Sequence, residues 1–338
     1  MEFSWTDRPV LVTGGASFIG SHLVDALVLR GARVRIADDF TSGSAENLSG
    51  ASKSATVFTG DLRDPSFATE AVRGMSVVFH LAADHGGRGY VDGQQVACAT
   101  NFALDNTVFM RCLAAGVEKV VYASSGCVYP NFRQTDTREH LYLDEPSVGP
   151  PFDADNLYGW AKLMGELTLR ALYQEHGLPS VSCRYFTVYG ERGRENHAVM
   201  AMIARAFIRQ DPFEVWGDGE QVRNWTHVDD IVEGTIRAAE SIDDAAAVNL
   251  GTMERIRVLD AVNAVTRLAG YSPRILLQPD LPTGPLNRVA DNALARRLLG
   301  WAPEVRFEDG LARTFKWYCQ THNRDQVAAE LSGLLATR

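Results

Sequence analysis

The sequence predicts an α/β fold, a doubly wound parallel sheet with a smaller, partly discontinuous α/β portion towards the C-terminus. Two observations predict it. Short β-branched runs alternate with helical stretches through the first half of the 338 residues, and a β-α-β order requires parallel strands joined by right-handed crossovers. The first of those runs also ends in a glycine-rich turn that opens directly into a helical stretch, a local arrangement typical of such sheets.

The elements follow in order. Residues 10–13 (Val-Leu-Val-Thr) read as a strand and 18–30 as a helix. Strands are expected at 33–37, 57–59 and 77–80, one long helix at 94–115, a strand at 119–123 and a helix at 156–174. Beyond this the pattern is less regular. Gly149-Pro150-Pro151, Gly217-Asp218-Gly219 and the run 281–285 mark loops. The tail after Thr321 reads as a partly exposed helix. No Gly/Ser linker divides the chain. The expected division is residues 1–180 as one unit and 181–338 as mainly another, with segments of the second returning to the first sheet.

The first strand runs into Gly14-Gly15-Ala16-Ser17-Phe18-Ile19-Gly20, which resembles the glycine-rich turn of a Rossmann unit. Glycines permit the tight turn and the approach of backbone to a pyrophosphate, and the helix N-terminus presents free N–H groups to negative charge. Ser17 stands where the middle glycine is usual. The expected acidic residue follows the second strand, as Asp38-Asp39. A carboxylate there accepts from an adenosine ribose 2′-hydroxyl and repels a 2′-phosphate, which selects NAD over NADP. Asp61 and Leu62 after the third strand, and Leu81, Ala82, Ala83 and Asn101 further on, complete the expected cofactor contacts. A bare strand–turn–helix would also carry glycines, but not a spaced acidic residue after the next strand.

Tyr158 and Lys162 are spaced i, i+4, so they share one helix face. There an ammonium lowers the pKa of a phenol, and a phenolate beside a nicotinamide takes the proton of a sugar hydroxyl. Ser125 is the expected hydrogen-bonding neighbour. Cys127, two residues on, offers a second base aimed at a second carbon. Its plain alternative is a small buried thiol, the usual fate of a free cysteine.

These motifs, with His80-Leu81-Ala82-Ala83, Arg184-Tyr185-Phe186, Trp216-Gly217-Asp218-Gly219 and 299–303, resemble the extended short-chain dehydrogenase/reductase family, nucleotide-sugar branch, across nearly the whole chain. Two stretches, 82–89 and 122–130, resemble GDP-mannose 3,5-epimerases. The resemblance implies tightly bound NAD, a GDP-sugar, transient oxidation at C4, and an acid/base at Cys127. It also implies substrate contacts from His85, Gly86, Gly87, Arg88, Ser125, Cys127, Thr187, Arg223 and Arg288, and a homodimer built on two long helices. The family's partner lysine is missing. His197, Asn196 or His85 stands for it, with His197 taken as catalytic. Thr187 replaces an asparagine and His85 a methionine. Two other readings share these residues: a 4-epimerase that needs no second base, and an inactive NAD-responsive binding protein.

Composition limits the alternatives. A net charge of −9 disfavours nucleic acid and anionic membranes as partners. No apolar leader or membrane-length run is visible. Five scattered cysteines show no C-x-x-C spacing, so no metal site is expected and a reducing cytoplasm is.

Overall fold

A computed structural model describes residues 3–336. Seven strands form one parallel sheet: β1 (Pro9–Thr13), β2 (Arg33–Asp38), β3 (Thr56–Thr59), β4 (Val77–His80), β5 (Lys119–Ser125), β6 (Ser180–Tyr185) and the strand Asp244–Leu250. Their order is Asp244–Leu250, β6, β5, β4, β1, β2, β3, and every pairing is parallel. The strand order reverses at β1, so the crevice beyond the carboxyl ends of β1 and β4 is the expected ligand position.

Apolar side chains fill both faces, which is why β1, β4 and the middle of β5 read as hydrophobic runs. On one face Val12, Phe79 and Val181 pack with helices Phe18–Leu29 and Val228–Ser241. On the other, Leu11, Val78 and Tyr122 pack with Pro65–Val72, Asn101–Ala115 and Asn156–His176. A separate core around Trp225, Ile203, Val265 and Tyr318 organises the C-terminal part. There Phe213–Trp216 pairs with Ile275–Gln278, and Val222–Arg223 lies between Ile256–Arg257 and Asn287–Arg288.

The single helix expected at 94–115 is instead two, Gln95–Ala99 and Asn101–Ala115, preceded by Arg88–Gly93. Gln94 leaves helical geometry at φ −116°, ψ 50°. Asn101 is turned back: its amide donates to the Asp84 and Cys98 carbonyls and accepts from the Asp84 N–H. This tethers the helix start to the loop after β4. A further helix, Pro65–Val72, begins at Asp64, whose carboxylate accepts from the Ser66 N–H with Pro65 in the first turn. The tail is helical over Arg324–Ala336.

Candidate active site

The glycine turn forms because Gly14 takes φ +67°, and a Cβ on Gly20 would lie 2.0 Å from the Gly14 carbonyl oxygen. Ser17 fits the turn by folding its hydroxyl back to donate to that carbonyl at 2.5 Å. Its side chain therefore does not cap the helix it precedes, and the first-turn N–H groups stay available for an anion. Asp38 is pinned behind the turn, accepting from the Ala16 and Phe40 N–H groups at 2.8 Å each. Burial raises the pKa of this carboxyl, against those two hydrogen bonds.

A cleft of about 60 Å³ beside the turn is lined by Gly14, Ser17, Asp38, Asp61, Leu62, Leu81, Ala82 and Ala83. Free helix-end donors, a fixed carboxylate and a turn of glycines and small residues, with the Ser17 hydroxyl folded away, fit a dinucleotide. Three expected contacts line neither this cleft nor the larger cavity beside it: Ala16 and Asn101, which are fully buried, and Gly20, which packs against the turn.

Next to this cleft opens a cavity of about 810 Å³. It gathers Phe18, Ile19, His85, Gly86, Gly87, Arg88, Ser125, Cys127, Tyr158, Lys162, Thr187, His197, Arg223 and Arg288. β5 delivers Ser125, whose Oγ accepts from the Cys127 N–H at 3.1 Å and so starts the turn that carries the thiol. Cys127 is then held against the next helix: its carbonyl accepts from the Asp155 N–H at 2.8 Å. A Cβ on Gly159 would stand 2.3 Å from the same oxygen, so Tyr158 and Cys127 approach only because glycine lies between Tyr158 and Trp160.

Tyr158 is hydrogen-bonded to Ser125. Burial raises its pKa, Cys127 adds to this, and the Ser125 bond opposes it. The expected lowering by Lys162 is not what dominates. The Lys162 ammonium lies 4.6 Å from the centre of the Tyr122 ring and 5.9 Å from that of Tyr158, and burial disfavours its own charge. The His85 ring lies between Tyr158 and His197, with centroids at 6.2 and 5.8 Å. His197 occupies the N-cap position of helix Ala198–Phe207 without capping it. Burial and then Arg194 bring its pKa down to about 4, so the ring is neutral near pH 7.

The far wall concentrates positive charge. Arg223 and Arg288 are register partners on neighbouring strands, and like charges side by side destabilise a sheet. Burial, Arg288 and Arg88 all disfavour the charge of Arg223. It is held by the Val222 and Thr283 carbonyls. Arg288 donates to Gln134 Oε1 at 2.7 Å, to Asp155 Oδ2 at 3.1 Å and to Cys127 Sγ at 3.2 Å. Arg88 donates to the same Asp155 oxygen at 2.8 Å and also pairs with Asp92. Against burial, Arg288 and Arg88 hold the Asp155 carboxyl below the usual range. Asp155 and Gln134 escaped the sequence reading. Asp155 carried one signal, an N-cap residue type directly before a helix, but its side chain orders arginines rather than capping.

Residues 10–251 match the NAD dependent epimerase/dehydratase family. The chain belongs to that family. Among its relatives is GDP-mannose 3,5-epimerase 1 of Oryza sativa subsp. japonica, 31% identical over 91% of this chain and 81% of that protein. Another is the UDP-N-acetyl-alpha-D-glucosaminuronate decarboxylase of Bacillus cytotoxicus, 31% identical over 93% and 98%. The structure of Thermotoga maritima UDP-glucose 4-epimerase with UDP-glucose superposes with a TM-score of 0.84, at 28% identity over 93% and 99%. As in its family, the cofactor is NAD. No helix among the described residues of this epimerase/dehydratase is long and apolar enough to cross a membrane.

Proposed function

We propose that the protein is a nucleotide-sugar epimerase that inverts C3, C5 or both through a 4-keto sugar, with a GDP-sugar as substrate. The observation that carries this reading is Cys127: its thiol opens into the same cavity as Tyr158 and Ser125 and meets the Arg288 guanidinium at 3.2 Å. A simple 4-epimerase has no use for a thiol there.

NAD supplies a reversible hydride acceptor. Tyr158, oriented by Ser125 and assisted by Lys162, takes the proton of the C4 hydroxyl as C4 becomes a ketone, and gives it back when the ketone is reduced. The ketone acidifies the hydrogens on C3 and C5. Cys127 removes one of them, leaving an enolate of the 4-ketone. His197, neutral at this pH, relays a proton to the opposite face, one ring nitrogen giving up its N–H proton as the other accepts one from solvent, and Cys127 releases the proton it took to solvent. General acid–base steps of this kind contribute about 10²–10⁴-fold each. Arg223, Arg288 and Arg88 bind the diphosphate, which relieves their mutual repulsion; arginine's planar fork suits phosphate oxygens. His85, Gly86, Gly87 and Thr187 shape the sugar pocket. In this division residues 1–180 hold the cofactor and the Tyr–Lys helix, and 181–338 mainly the nucleotide sugar.

The rice relative's name supports guanine, and the free cysteines suit a reducing cytoplasm. Helices Asn101–Ala115 and Asn156–His176 expose Met110, Trp160 and Met164, an apolar surface suited to a four-helix homodimer contact. The test is a panel of GDP-, UDP- and dTDP-sugars incubated in D2O and analysed by NMR and mass spectrometry. The proposal expects deuterium at C3 or C5 of a GDP-sugar. Inversion at C4 alone, without deuterium, favours the 4-epimerase reading, which the Thermotoga structure supports.

A further inference from the structure

Behind the cavity a buried chain of polar groups runs from the glycine turn to Lys162. Thr13 Oγ1 accepts from the Leu81 and Ala82 N–H groups at 3.1 and 3.0 Å. Its own hydrogen therefore points to His80 Nδ1, 2.8 Å away. That fixes the tautomer: His80 donates through Nε2 to Asp105 Oδ1 at 3.0 Å. The Tyr122 hydroxyl donates to the other oxygen, Asp105 Oδ2, at 2.5 Å. Both Asp105 oxygens accept, so the residue stands as a carboxylate.

The Tyr122 ring carries this charge towards the site. Lys162 Nζ lies 4.6 Å from its centre, and a phenol whose hydroxyl donates to an anion presents a more electron-rich face to a cation. The sequence makes room for the contact: a Cβ on Gly165, one turn beyond Lys162, would lie 2.5 Å from the Tyr122 hydroxyl.

The titratable groups around Lys162, Tyr158 and Tyr122 are Glu166 on the same helix as Lys162, His80 on β4, Asp105 on helix Asn101–Ala115, Cys98 on helix Gln95–Ala99, and Cys127 after β5. Glu166 is matched by Arg184, whose Nε and Nη2 reach it at 2.9 and 2.7 Å. Burial keeps His80 neutral. Asp105 is thus the carboxylate in this set with no other cation.

We propose that Asp105 is a positioning residue, the buried counter-anion of Lys162, acting through the Tyr122 ring. This rests on the reading of Lys162 as the partner of Tyr158. Burial pulls the Lys162 ammonium towards losing its proton, and Asp105 opposes that. Burial, and after it Cys127, hold the Tyr158 proton on, and the same carboxylate adds to them. Removing its charge therefore moves both titrations to lower pH.

The experiment is the pH profile of kcat for wild-type holoenzyme, Asp105→Asn and Tyr122→Phe. Asp105→Asn is expected to slide both limbs of the bell to lower pH by about one unit, which is about tenfold in rate on the falling alkaline limb. KM should be nearly unchanged. Tyr122→Phe keeps the ring and loses the bond, so it moves the limbs the same way by less; it carries the test if the asparagine variant does not fold. A profile that drops at every pH without sliding makes Asp105 structural and overturns the inference. Lys162→Met separates the two failures: if it keeps full activity, the role given to Lys162 fails as well.

Discussion

The guanidinium of Arg288 lies 3.2 Å from Cys127 Sγ while two of its other nitrogens hold Gln134 and Asp155. The thiol is thus held by a residue 161 positions away in sequence, at the border between Ser125 and Tyr158 and the cationic wall of the same cavity. A free cysteine that served only as filler would sit among apolar neighbours, as Cys112 and Cys183 do.

On the proposed mechanism Tyr158→Phe removes the proton acceptor for C4 oxidation while keeping the ring. Turnover should fall by about 10²–10⁴-fold, with NAD still bound to the purified protein. Activity and cofactor content measured on one preparation check this; loss of NAD or of folding would mark a structural tyrosine.

Arg223→Met takes one positive charge from a repelling pair. We expect KM for the nucleotide sugar to rise about ten- to a hundredfold, the worth of a charged hydrogen bond. Thermal stability without substrate should stay level or rise. A lower Tm with an unchanged KM would contradict the assignment.

His197 is depressed from 6.5 to about 4. The unfolded chain therefore binds a proton that the folded chain refuses between these values. Stability rises with pH across that window and is lost as pH falls through it. His22 and His80 act in the same sense, again through burial. His197→Gln should make the Tm-against-pH curve flatter between pH 4 and 6.5, measured by calorimetry; an unchanged slope would refute the buried neutral state.

Met164→Glu places a charge on the exposed face beside Trp160. Light scattering should find a dimer for the wild type and a monomer for the variant at equal concentration. A wild-type monomer at every concentration removes the dimer from the account.

The strands were legible because a parallel sheet buried on both faces writes itself as continuous β-branched runs, and β1, β4 and β5 are such runs. The glycine turn was legible because its constraint is local. Asp155 and Asp105 were not: each looks like an ordinary helix residue until Arg88 and Arg288, or His80 and Tyr122, arrive from distant segments. The break before Asn101 was hidden for the same reason, since the groups that turn its amide lie in the loop after β4. Spacing alone predicts a lowered Tyr158 pKa and burial raises it instead, because a shared helix face fixes direction but not burial.

The central claim is that Cys127 is a base acting at carbon. Wild type and Cys127→Ser should be incubated in D2O with the GDP-sugar that the wild type turns over, and the sugar carbons read by NMR. A hydroxyl is a far weaker acid than a thiol, so the serine variant should stop deuterium entering C3 and C5 while C4 oxidation continues, seen as a bound 4-keto sugar and NADH absorbance. Full deuterium incorporation by Cys127→Ser would contradict the account.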